Sequence, residues 1–193
     1  VAFTGTIKEK VQYDPGVRHP EYLMRPLRVT LNFLGKPWGA IDLELAHPET
    51  ITKLNPPSQI DSELTGKFEN FGFGKLAPVR FLALEVQIAQ KLHALTHPAS
   101  DRAHDLVDLQ ILWTDEVELE GLRRACETTF RYRQEHAWPP LPLRSMKADE
   151  ARYKQAVEEV TVHAQLPHIF LELEDARQWL ITKIEHLHYG GAA

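Results

Sequence analysis

The 193-residue chain has a single cysteine, Cys126. One thiol excludes an internal disulfide and suits a reducing, cytoplasmic setting. No apolar run is long enough to cross a bilayer and no secretory pattern opens the chain, so a membrane role is not expected. Basic residues are also short: 22 Lys and Arg face 27 Asp and Glu, a net charge of −5. That balance argues against coating nucleic acid through bulk charge. It leaves room for a local basic site around Lys75, Arg80 and Lys91. A glycine-rich phosphate loop is missing, because Phe71-Gly-Phe-Gly74 lacks the strand-to-helix context and the lysine. No serine stands in a nucleophile-elbow pattern. The first residue is Val1 and not Met, which fits either a processed start or the later part of a longer chain.

What is present is an ordinary globular composition, 43% apolar and 25% charged, with enough length for one substantial domain or two small ones. The first third reads as β. Arg28 to Leu34 and Ala40 to Ala46 alternate, and Gly35-Lys-Pro-Trp-Gly39 between them is turn chemistry, which predicts a hairpin. Val1 to Val11 is a further candidate strand. Residues 47–75, rich in Pro, Gly, Asn and Ser, read as a long loop or lid. Pro78 to Ala83 reads as a short strand. From Leu84 the pattern is helical. Pro98 stops the first helix, and Ser100 or Asp101 is placed to cap the next, which runs to about Trp113. Asp115 with Glu118 resembles a capping box for a helix carrying Leu122, Cys126 and Phe130. Helices near Ala148 to Gln165 and Glu172 to His188 follow. The expected fold is α+β, a small antiparallel or mixed sheet in front of a C-terminal helical bundle. It is expected to form one domain over 1–193, β-rich over 1–83 and helical over 84–193, with one shared core.

Three groups of residues could carry chemistry. Leu84, Ile88, Lys91 and Leu95 form one helical stripe, so Lys91 must either snorkel to solvent or meet an anion. A fixed cation there could hold phosphate or carboxylate. Arg102, Asp105 and Asp108 share the next helix. Acids early in a helix often serve its dipole, which accounts for Asp101 and serves for Asp105, but Asp108 lies too far along. Arg102 could equally be a surface partner of a nearby acid. Asp42 and Glu44 share one strand face, where they either face water or hold a divalent ion. His93 and His97, four apart, with His104-Asp105 nearby, raise a metal phosphohydrolase reading, weakened by the missing metalloprotease glutamate and by Pro98 beside His97. Cys126, on an apolar helix face, reads as core.

A strand, then Gln-Lys-Leu-His-Ala-Leu around Lys91, then Asp-Arg-Ala-His-Asp-Leu-Val-Asp-Leu over 101–109, resembles the later motifs of the AbiEii/AbiGii nucleotidyltransferase toxins. These belong to the polymerase-β-like superfamily. The resemblance covers about residues 25–115 well and the helical tail loosely. It implies a toxin of a toxin–antitoxin or phage-defence system that transfers nucleotide from a nucleoside triphosphate, with Mg2+, in some members to tRNA. By that resemblance Lys91, which contacts the triphosphate, and Asp105, the acid of the last motif, are catalytic, while Arg102, the arginine of that motif, and Asp108, a second acid, bind substrate. Asp42 is a candidate third metal ligand. An antitoxin protein is the implied partner. Two departures stand out. His104 occupies a position often basic in the family. Nothing before Val29 fits the family's Gly-rich stretch or its Asp-x-Asp pair, so the chain should hold metal–triphosphate poorly. Rival readings are a non-catalytic interaction module, using Phe68, Phe71 and Phe73 of the long loop, and the phosphohydrolase built on His93, His97, His104 and Asp105.

Overall fold

The computed structural model describes residues 3–10, 25–45, 62–72, 74–98, 100–140, 149–163 and 169–190. It shows an α+β chain, a three-stranded antiparallel sheet followed by helices. The chain divides into two compact units, 1–49 and 50–193.

The first unit carries β1 (Phe3–Glu9), β2 (Arg25–Phe33) and β3 (Lys36–Leu45), in that order across the sheet. The expected hairpin is present, with its turn at Leu34-Gly35. Both residues take positive φ, 49° and 77°, as a two-residue turn between right-twisted strands requires. Lys36-Pro-Trp-Gly39, read as turn chemistry, is instead the start of β3. Register places Ile7 opposite Val29 and Val29 opposite Ile41, with Leu27 opposite Leu43. The alternating apolar residues thus share one face, while Arg28 and Asp42 pair on the other.

The second unit holds α1 (Ser62–Asn70), α2 (Leu84–Thr96), α3 (Ala103–Leu112), α4 (Leu119–Arg133), α5 (Glu150–His163) and α6 (Leu173–Tyr189). The buried core among the described residues runs from Ala83 to Leu187 and belongs to this unit. Ile88, Leu92, Leu106, Leu109, Leu122, Leu180 and Ile184 are all sealed within it. Cys126 is buried there as expected, and burial raises its thiol pKa well above the ordinary value.

Four local expectations need correction. The long loop 47–75 contains α1, whose Glu63 and Lys67 join at 2.6 Å one turn apart, local support that the Gly and Asn content hid. Residues 46–61 and Phe73 of that loop lie outside the described residues. Pro78 to Ala83 forms no strand; only Val79 and Leu82 make isolated bridges. Arg102, and neither Ser100 nor Asp101, takes the N-cap position of α3, because Asp101 is drawn to Arg152 on α5. Helix α4 is capped by Glu118 and not by Asp115. The Glu118 carboxylate accepts from the N–H groups of Glu120 at 2.8 Å and Gly121 at 2.5 Å, after a turn that buries Val117.

A lysine held between two aspartates

Helix α2 turns Ile88 and Leu95 fully inward, and Lys91 lies on the same stripe. Its ammonium meets α3. Lys91 Nζ donates to Asp105 Oδ1 at 3.1 Å and to Asp108 Oδ2 at 2.6 Å. The spacing of three along α3 brings both carboxylates to one side of the helix, which is why one cation reaches both. Arg102 Nε donates to the other oxygen of Asp105. His104 Nε2 stands 3.6 Å from Asp105 Oδ1, too far for a hydrogen bond.

Burial grades the four charges. The Asp105 side chain is 0% exposed, Lys91 29%, Asp108 37% and Arg102 50%. A sealed carboxylate is tolerable only when its oxygens are satisfied by charged donors, and Lys91 and Arg102 take one oxygen each. Burial alone would lower the Lys91 pKa. Hydrogen bonds to Asp108 and Asp105, with their charges, outweigh it and leave the pKa above the ordinary lysine value. Lys91 is therefore a fixed cation at neutral pH.

Helix α5 grips α3 at both ends. Arg152 binds Asp101 just before the helix. Near its end, Gln110 Nε2 donates to the Tyr153 hydroxyl at 3.1 Å, and that hydroxyl donates to the Phe170 carbonyl at 2.6 Å. The Phe170 N–H returns to Gln110 Oε1 at 2.8 Å. Sequence reading missed this bracing, since no local signal links positions so far apart.

The other expected residues lie elsewhere. Asp42 belongs to the first unit, where it pairs with Lys10 at 2.9 Å and Arg28 at 3.3 Å. His93 and His97 do not join His104. Their rings pack against His136, with centroids 4.6 and 5.9 Å away, and Glu135 Oε2 lies 3.7 Å from His93 Nε2. His93 is buried, and burial first, then Arg133, His136 and His97, lowers its pKa to about 3. It is a neutral packing residue. Among the described residues, no group of three His, Cys, Asp or Glu side chains could hold a metal ion. The histidine phosphohydrolase finds no site there. No helix among the described residues is long and apolar enough to cross a membrane.

The fold and this network define an α+β protein with a cation fixed among carboxylates on two packed helices. Residues 2–183 match the model of the family described as nucleotidyl transferase AbiEii toxin, type IV toxin–antitoxin system, and the chain belongs to that family. No curated protein matches it.

Proposed function

We propose that the chain serves a type IV toxin of the nucleotidyltransferase kind, and that Lys91 is its phosphate-binding cation. Family membership supports nucleotidyl transfer and an antitoxin partner. The observation that carries the reading is the inward turn of Lys91 onto α3. In this reading a nucleoside triphosphate places its phosphates at Lys91, and an acceptor hydroxyl, such as that of tRNA, attacks the α-phosphate in line. Positioning and charge stabilisation then provide the catalysis.

The geometry narrows the roles. Asp105 is sealed, with both oxygens engaged, so it cannot reach an acceptor hydroxyl. Its role is to order Lys91 and Arg102. Arg102 is half exposed and can turn its remaining donors to a phosphate. Asp108 is the carboxylate of the network that reaches solvent. Asp42 would have to leave Lys10 and Arg28 to bind magnesium, and we assign it no metal role. The cytoplasm, where nucleoside triphosphates and tRNA are found, is the expected compartment.

The test is transfer of labelled nucleotide by the purified chain with Mg2+ and tRNA. Lys91→Ala should reduce transfer by about a hundredfold or more, as expected for losing a charge-stabilising donor. Transfer at the original rate by Lys91→Ala would reject the assignment.

A further inference from the structure

The two carboxylates on Lys91 are not equivalent. Asp105 has no exposed surface, and each of its oxygens is engaged by a different cation. Releasing it would strand a charge in the core. Asp108 offers only Oδ2 to Lys91, and 37% of its side chain already faces water. It can swing out at far less cost than Asp105, because its carboxylate is rehydrated as it leaves. Yet its contact is the shorter of the two, 2.6 against 3.1 Å. It therefore occupies the solvent-side position on Lys91 that an incoming anion needs.

The charges sharpen the point. Two cations, Lys91 and Arg102, face two anions, Asp105 and Asp108, so the closed network is neutral. An arriving anion finds no net attraction until Asp108 leaves. Once Asp108 is out, the network is left with one uncompensated positive charge. Orthophosphate gains little from that exchange. A polyphosphate, which carries more negative charge, gains more at Lys91 and the half-exposed Arg102 together.

We propose that Asp108 is an internal competitor for Lys91, a built-in carboxylate that a polyphosphate must displace, and that it sets the affinity and charge selectivity of the site. This rests on the reading of Lys91 as the phosphate-binding cation. It assigns to Asp108 the opposite of a substrate-binding role: the residue weakens binding and filters out small anions.

The test is binding, not turnover. Tripolyphosphate and orthophosphate are titrated calorimetrically into the chain without metal. Asp108→Asn keeps a hydrogen-bond acceptor for Lys91 and removes the charge. It should bind tripolyphosphate about tenfold more tightly than the original chain, the combined effect of a lost competitor and a lost repulsion. Asp108→Ser should do the same, which guards against a folding defect in one variant, and far-UV circular dichroism checks both. Asp108→Glu restores the charge and should restore weak binding. The gain should vanish in Lys91→Met/Asp108→Asn. It should also be absent in Asp115→Asn, which changes net charge equally on an exposed turn. Equal or weaker binding by both Asp108→Asn and Asp108→Ser would overturn the proposal, as would a gain that survives loss of Lys91. The two readings fail separately. Tight polyphosphate binding without nucleotide transfer rejects the enzyme and keeps the competitor. Transfer that depends on Lys91, with no gain in the Asp108 variants, does the reverse.

Discussion

Lys91 and Asp105 face each other across the α2–α3 contact at 3.1 Å, and the carboxylate has no exposed surface. The pair is thus part of the fold as well as of the site. Lys91→Met leaves Asp105 with Arg102 alone and should cost about 2–3 kcal/mol, somewhat below the value for stripping a fully buried pair. Asp105→Ala leaves Lys91 to Asp108 and the half-exposed Arg102 to solvent, so it should cost less than Lys91→Met. Urea unfolding of both variants measures this; a loss under about 0.5 kcal/mol in both would refute the buried-pair account.

The same pair sets an alkaline limit. The Lys91 pKa is raised in the folded chain above its ordinary 10.5, so the folded state holds that proton more tightly. The resulting stability is fully present below about pH 10.5 and disappears as pH rises through the folded value. Above about pH 10.5 the original chain should progressively lose its advantage over Lys91→Met. Parallel stability curves for the two proteins would contradict this.

His93 acts at the other end of the scale. Its folded pKa is lowered to about 3 from 6.5, so the unfolded chain binds the extra proton first. Stability is present above about pH 6.5 and falls as pH drops toward 3, by a few kcal/mol in order of magnitude. His93→Leu, close in volume, should flatten this acid limb when unfolding is followed from pH 7 to 4.

Tyr153→Phe should cost about 1–2 kcal/mol, because Gln110 and the Phe170 carbonyl lose a shared partner in a half-buried place. Thermal unfolding with a matched Gln110→Leu/Tyr153→Phe double variant should show losses that do not add.

Glu118→Ala removes the acceptor for two N–H groups at the start of α4. A loss of about 1 kcal/mol is expected. Asp115→Ala, at the position first read as the cap, should be close to neutral. The reverse order in a denaturant titration would restore the earlier placement.

Periodicity carried a good part of the structure. Alternation in 28–46 located the β2–β3 hairpin, and the apolar stripe left Lys91 to snorkel or to meet an anion; it meets Asp105 and Asp108. These signals are local or lie in neighbouring helices, where spacing fixes geometry. Two of the misses arise from competition between nearby groups. Asp101 could cap α3 by sequence, but a partner 51 residues away on α5 takes it. Asp115 and Glu118 are both plausible caps, and only the burial of Val117 decides between them. Helix α1 hid inside a stretch of loop-forming residues because one ion pair and nine residues leave a faint pattern. The packing of His93 and His97 against His136 was out of reach, since a shared spacing of four says nothing about what stands opposite.

The sealing of Asp105 has an evolutionary corollary. A descendant without the proposed nucleotide transfer would still need this carboxylate and Lys91, its partner on α2, to keep the two helices together, and Arg102 to satisfy the second oxygen. Selection for folding alone would preserve Lys91, Arg102 and Asp105, whereas Asp108, which no such need protects, would be free to drift. The identity of residue 108 across related chains is therefore the better marker of living chemistry.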